Sequence, residues 1–457
     1  MQKLRYCIRE KINNKISKKM KKFYFKCRTC GHEIEGFKEW FANNQKCPQC
    51  GDNKINTIYS TPKEKIKELI SKDARPESLW HYFDFLPLEN KENIVTDGEG
   101  IAPIERWDFF EDYAKRKYDL NLKVFINRND KSFATGTFKD KGGALAASVL
   151  KEHGIKEYVV ASTGNTATAF AHYLAKAGIS CAIFMPGDAF SDSMAHISTY
   201  GQKIFHVQGD YAYAKKVAAD YAKKYNVLMT GGNLDPLRLE AKKTQVFEML
   251  RLMGKTPDVY IQALSGGTGP FAVEKAFNDF EELGIFGKLP RFLLSQGDRC
   301  APMADAWKKA KETNFPAGWE KDYPIYENPE TLIPTIATGN PGMYPLMGPL
   351  VKRSGGDIFP VHEELALDMI RLVAYERVIK IGPASAAGLL GFFEALKRGL
   401  INDDETVFIN MGESANRAYG YMHIAAYTID EVHTVDDCEH FDRSKYKDKV
   451  WAPFEKY

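Results

Sequence analysis

The chain has 457 residues, of which 44% are hydrophobic and 27% charged, with a formal net charge of +3. This length points to two or three globular domains rather than one small core, and the nearly neutral balance gives no support to nucleic-acid binding. No run reaches the roughly 20 apolar residues of a membrane span; the longest candidate, residues 381–393, contains Pro383 and stops at Glu394.

Residues 1–22 are rich in Lys and Arg with one acid, Glu10, and lack the apolar centre of a secretory signal. Residues 1–19 read as a disordered basic tail, with Met20 an alternative native start, and the expected location is the cytoplasm. Next come Cys27-Arg-Thr-Cys30 and Cys47-Pro-Gln-Cys50, a C-x2-C-x16-C-x2-C spacing within the range of two-knuckle zinc ribbons. Four thiolates from Cys27, Cys30, Cys47 and Cys50 close a tetrahedral shell with no open position. The expected zinc is therefore structural, in a segment covering 20–60 that serves as a stabilising or interaction appendage.

A helix is expected over 61–72, opened by Thr61-Pro62. Residues 74–99 look irregular, with Trp80, Tyr82, Phe83 and Phe85 packing on the main body. From about residue 120 onward, strands (124–127, 158–162, 181–185, 203–207, 227–229, 259–264, 292–295, 406–410) alternate with helices (167–177, 211–225, 238–253, 365–376). That rhythm predicts an α/β fold with parallel-rich sheets covered by helices. The division expected is a catalytic region over 61–440, with a small subdomain near 145–230, and a C-terminal tail over 441–457.

Three motifs sit where strands give way to helices. A strand over 123–127 and a polar loop lead to Lys139, just before an alanine-rich helix at 143–150. The positive end of a helix favours loss of a proton from a lysine, and a neutral lysine can form a Schiff base with an aldehyde; an ordinary surface lysine would have the same local sequence. Ser162-Thr-Gly-Asn-Thr166 opens a helix and reads equally as a cap or a site. Ser265-Gly-Gly-Thr-Gly269 follows a strand, and its small residues let backbone N–H groups converge on an anion. It is neither a Walker loop nor G-x-G-x-x-G, so a phosphate cradle or a plain glycine turn are the two readings.

Taken in order, Thr137–Gly142, Ser162–Thr166, the glycine-rich loop and Gly382-Pro-Ala-Ser-Ala-Ala387 resemble the fold-type II pyridoxal-phosphate enzymes, the tryptophan synthase β superfamily. Within it the chain looks most like threonine synthase, whose remaining blocks have counterparts in Gln208-Gly-Asp-Tyr211 and Asp235-Pro-Leu-Arg-Leu-Glu-Ala-Lys-Lys-Thr244. The likeness runs over roughly residues 75–425. It implies that Lys139 carries pyridoxal 5'-phosphate and moves protons, and that Asn165 hydrogen-bonds the ring hydroxyl oxygen. It also implies that Gly266, Gly267, Thr268 and Gly269 bind the cofactor phosphate, and that Ser162, Thr166 and Arg238 bind the anionic end of a substrate. The block Phe408-Ile-Asn-Met-Gly-Glu-Ser414 leaves Asn410 or Ser414 as the ring-nitrogen partner.

The activity expected from the resemblance is conversion of O-phospho-L-homoserine and water to L-threonine and phosphate. Residues 296–307 and 317–326 look nearer to cysteate synthase, so β-replacement on O-phosphoserine with sulfite is the alternative. A zinc-ribbon nucleic-acid binder with an inactive enzyme-like body is the remote one. The partner expected is a small phosphorylated amino acid; a homodimer is expected, and neither a membrane nor a nucleic acid is.

Overall fold

The structure is a computed structural model and describes residues 21–457, except Phe133, Tyr427, Thr428, Asp430 and Glu439. The basic tail expected over 1–19 lies outside the described residues. Among the described residues thirteen strands form three sheets. In chain order they are β1 (Phe23–Cys27), β2 (Glu33–Ile34), β3 (Ile55–Tyr59), β4 (Ile104–Arg106), β5 (Lys123–Arg128), β6 (Glu157–Ala161) and β7 (Ser180–Pro186). They continue with β8 (Lys203–Val207), β9 (Leu228–Met229), β10 (Val259–Ala263), β11 (Arg291–Gly297), β12 (Asp357–Val361) and β13 (Thr406–Met411).

The largest sheet has the order β12-β11-β10-β13-β5-β4 and is parallel except for β4. A second, wholly parallel sheet has the order β8-β7-β6-β9. Strand β13 is buried along its whole length because its neighbours and the flanking helices cover it completely, which is why it reads as a nearly unbroken apolar run. The apolar stretch 381–393 becomes the helix Pro383–Lys397, buried against β10, β11 and β13. Strands β12 and β4 were not among those expected. The first carries Pro360 and lies at the sheet edge, where a missing N–H leaves no ladder bond broken; the second spans only three residues. The helix expected over 61–72 shortens to Lys65–Leu69.

The four-cysteine segment folds as the antiparallel sheet β2-β1-β3 with one short helix, Phe37–Ala42. It is not an appendage. Phe25, Phe37 and Trp40 belong to the same buried cluster as Leu145, Tyr158 and Phe170, so the segment shares its core with the second sheet. Residues 441–457, expected as a tail, contain the helix Tyr446–Glu455, whose Trp451 and Phe454 join the core around Phe110 and Phe393. Among the described residues no helix is long and apolar enough to cross a membrane.

Candidate active site

The carboxyl ends of strands from both parallel sheets open onto one cavity of about 1260 Å³, the position at which such sheets place their ligands. The lining includes Ser162 after β6, Gly209 after β8, Gly232 after β9, Ser265 after β10, Arg299 after β11 and Gly412 after β13. Its volume exceeds the roughly 300–1,000 Å³ of a pocket for one small ligand, leaving space for two molecules side by side.

Lys139 lines this cavity at the N-terminal end of the helix Asp140–Glu152, with Nζ 3.6 Å from the centroid of the Phe138 ring. The segment before it is tied to the end of β13: Thr137 Oγ1 donates to the Gly412 carbonyl at 2.9 Å, and the Phe138 N–H to the same oxygen at 3.2 Å. Asp140 is buried, and its carboxylate accepts from Ser132 Oγ at 2.6 Å, from the Thr135 N–H at 3.0 Å and from the Thr135 hydroxyl. Lys141 points inward, where Nζ donates to Asn129 Oδ1 at 3.0 Å and burial pushes its amine down to about 8. A Cβ on Gly143 would stand 2.8 Å from the Tyr173 ring and 2.9 Å from the Ala169 carbonyl, so only glycine lets these helices meet. Each residue flanking Lys139 in the motif thus has a structural task that fixes where Lys139 starts.

The loop after β6 faces Lys139 from the second sheet. Ser162 Oγ accepts the N–H groups of Gly164 and Ala167, both at 3.1 Å, and so caps the helix Asn165–Lys176 while lining the cavity with Thr166. The cap expected from Asn165 or Thr166 does not form, because Gly164 holds the N-cap position and Ser162 accepts the helix N–H instead. Asn165 Nδ2 donates to Glu413 Oε2 at 2.5 Å, and Glu413 Oε1 accepts the Ala384 N–H at 2.7 Å.

Gly266, Gly267, Thr268 and Gly269 line the cavity where the helix Thr268–Phe280 begins. Gly267 has φ of 81°, a left-handed backbone that glycine adopts without strain. A Cβ on Gly266, Gly267 or Gly269 would collide with Asn233, Met347 or Gln262 respectively. The loop therefore presents bare backbone, with the unpaired N–H groups of a helix start, to the cavity. Arg238 lies in the first turn of the helix Pro236–Met253; Nη1 donates to the Gly232 carbonyl at 2.9 Å, while its Nε is buried without a hydrogen-bond partner.

Asn410 and Ser414 part company. Asn410 lines the cavity at the end of β13, accepting from Asn129 Nδ2 at 2.8 Å and donating to Gln262 Oε1 at 3.0 Å. Ser414 is not among the lining residues. Its Oγ packs against Gly136 and accepts the Asn416 N–H at 3.4 Å.

Glu413, Gln262 and Lys242 are among the residues at or beside the site that escaped the sequence reading. Glu413 was legible only as an acid among small residues directly after a buried strand. Gln262 supports Asn410, yet within β10 it looks like any polar strand residue. Lys242 lies on the helix Pro236–Met253 and is 2% exposed. Burial above all, then the neighbouring charges of Lys139 and Arg238, holds its amine well below the ordinary lysine range. Nothing in the local pattern announced an inward-facing cation there.

Away from the cavity, the Sγ atoms of Cys27, Cys30, Cys47 and Cys50 lie within 4.8 Å of one another, with Cys27–Cys50 and Cys30–Cys47 at 3.6 Å. Ligands about 2.3 Å from a tetrahedral zinc stand roughly 3.8 Å apart, so this donor set fits such an ion.

Residues 95–412 match the family model described as "Pyridoxal-phosphate dependent enzyme". The chain is 30% identical over 364 residues to threonine synthase of Methanocaldococcus jannaschii, covering 79% of this chain and 85% of that one. It is 29% identical over 387 residues to threonine synthase of Methanosarcina acetivorans, covering 84% and 90%. Among solved structures, O-ureido-L-serine synthase aligns with a TM-score of 0.54 at 16% identity, over 73% of this chain and 95% of that one. Threonine deaminase isoform 2 of Solanum lycopersicum aligns with a TM-score of 0.55 at 17% identity, over 71% and 82%. At such identities these two structures speak for the shared fold alone.

Proposed function

Since the chain belongs to the pyridoxal-phosphate dependent enzymes and is a lyase or synthase of that family, we propose that it is a threonine synthase, converting O-phospho-L-homoserine and water to L-threonine and phosphate. The observation that carries this reading is the likeness to threonine synthases along most of the chain, together with an anion-binding set at the cavity.

The residues present suit the cofactor. The bare backbone at Gly266–Gly269 would take its phosphate, and Lys139 Nζ would take its aldehyde. Of the two candidates for the ring nitrogen, Asn410 lines the cavity and Ser414 does not, which favours Asn410. Asn165, steadied by Glu413, would hold the ring oxygen. When bound, pyridoxal phosphate supplies an electron sink for the carbanion formed beside the substrate's amino group. Lys139 Nζ would take the proton from the substrate Cα and later return one. Ser162, Thr166 and Arg238 would receive the anionic end; the unpartnered Arg238 Nε is a donor whose burial is costly until an anion accepts from it. The four cysteines would hold one structural zinc.

A substrate panel on cofactor-loaded protein tests the reading. Release of phosphate and formation of threonine from phosphohomoserine are expected. Turnover of phosphoserine with sulfite or sulfide, and none of phosphohomoserine, would overturn it in favour of β-replacement.

A further inference from the structure

The cavity is not walled by the two parallel sheets alone. Asn53 and Lys54, which follow the last cysteine knuckle, line it together with Lys215, the loop 230–234 and Arg238. Nothing in the metal-binding spacing calls for this, because a closed four-thiolate shell needs only its own ligands and its own turns.

Several contacts lock the four-cysteine module to that wall. Gln45 is 9% exposed, and its Nε2 donates to the Met229 carbonyl at 2.5 Å, immediately before the 230–234 loop. From β3, Tyr59 OH donates to Glu240 Oε2 at 2.8 Å, and the Thr57 carbonyl accepts from Lys275 Nζ at 3.1 Å. Glu240 lies in the helix whose first turn carries Arg238. The module and the Arg238 segment are therefore held as one piece. Asp52 steers Lys54 from within the module: its carboxylate accepts the Lys54 N–H at 3.0 Å and lies 3.3 Å from Lys54 Nζ. That ammonium keeps 45% of its side chain exposed, so it stays available to a ligand at the mouth.

The charge pattern indicates which ligand. Lys54, Lys215 and Arg238 line the cavity together with Lys139 and Arg299, five cations against the three acids Asp188, Asp210 and Glu330, and Asp210 caps the helix Tyr211–Tyr225. We propose that the four-cysteine module is part of the substrate site: Asn53 and Lys54 are specificity-determining residues that, with Lys215, draw in and hold the outer phosphate of an amino-acid phosphate ester. This rests on the proposed threonine synthase reading for the identity of the substrate, though not for the binding of phosphate. Lys54 works at the rim, touching the anion without touching the reacting atoms. Its contribution is therefore to capture, and it depends on ionic strength.

The test uses the full-length, cofactor-loaded protein with Lys54→Met, Lys54→Arg and wild type. Calorimetric titration with inorganic phosphate and steady-state kinetics on phosphohomoserine are each run at low and high salt. Lys54→Met is expected to raise KM and the phosphate Kd by about three- to tenfold at low salt with kcat unchanged. The gap from wild type should shrink at high salt, and Lys54→Arg should recover most of it. An unaltered cofactor absorbance band and metal content show that the variant is folded. If phosphate Kd and KM stay within twofold of wild type in that folded variant, the proposal is wrong. If kcat falls while KM and Kd hold, the module acts only as a structural support, which also overturns it. A wild-type protein inactive on phosphohomoserine refutes the proposed function instead, and the phosphate titration still decides the role of Lys54.

Discussion

Asn165 Nδ2 donates to Glu413 Oε2 at 2.5 Å, joining the start of a helix on the second sheet to the loop after the central strand of the first. The same carboxylate accepts the Ala384 N–H at 2.7 Å, at the start of the helix Pro383–Lys397. One buried acid thus sets the distance between the two halves of the cavity. Glu413→Ala leaves two buried donors without an acceptor and is expected to lower stability by about 2–5 kcal/mol. Glu413→Gln, which preserves shape and one acceptor, should lose less. Thermal unfolding of both variants checks this, and equal melting temperatures for wild type and Glu413→Ala would refute it.

Lys139 is expected to be the lysine that carries the cofactor. Borohydride reduction followed by peptide mapping should find the pyridoxyl group on the peptide containing Lys139. Lys139→Ala should show no label and no turnover while unfolding near the wild-type temperature, since Asp140 and the Thr137 contacts hold the loop in either case. A label on Lys141 or Lys242 would reassign the role.

Arg238→Ala should keep the cofactor absorbance band. It is expected to lose one charge-assisted contact of about 1.5–3 kcal/mol, or roughly one to two decades in kcat/KM on a phosphorylated amino acid. Arg238→Lys should not restore it fully, because a point charge cannot replace a guanidinium fork. Normal kinetics for the alanine variant would remove Arg238 from the site.

The four thiols should bind about one zinc per chain, as measured by elemental analysis. Cys27→Ser is expected to lose it. The module shares its core with the helix after Lys139 and with the second sheet, so the loss should lower the melting temperature of the whole protein. A metal-free native protein would refute the assignment.

A buried ion cluster gives the fold a defined response to acid. Burial raises the Glu240 carboxyl, but Lys243 and Lys275 outweigh it and hold the group down at about 2, against 4.5 for the free side chain. A carboxylate depressed in this way stabilises the folded state fully above pH 4.5, and the contribution fades as pH falls toward 2. Denaturant unfolding of wild type and Glu240→Gln should differ most near neutral pH and converge between pH 4.5 and 2. A difference that does not change with pH would contradict this.

Much of the site could be read from sequence because its parts are local. Two cysteines three residues apart converge through their own turn, a run of glycines frees its own backbone, and Lys139 begins a helix whichever partners surround it. The strand–helix rhythm was legible for the same reason, down to β8 (Lys203–Val207) and the helix Tyr211–Tyr225, whose bounds match the expected ones. The strands of the four-cysteine segment escaped, and in the larger sheet so did the edge strands β12 and β4, where Pro360 or a three-residue length masks the pattern.

The sequence by itself therefore determined the cofactor class and the four-thiol cluster, and it singled out a lysine and a glycine loop that both line the cavity. The tertiary structure alone decided what joins them. Asn165 meets Glu413 from 248 residues away, and Gln45 meets Met229 from 184 away. Asn410 lines the cavity and Ser414 does not, because beyond the end of β13 a side chain's direction is set by the bridges to residues 137 and 381 rather than by its neighbours in sequence. That the metal-type module walls the cavity was invisible for the same reason: its Asn53-Lys54 pair is an ordinary polar turn until packing brings it to the cavity.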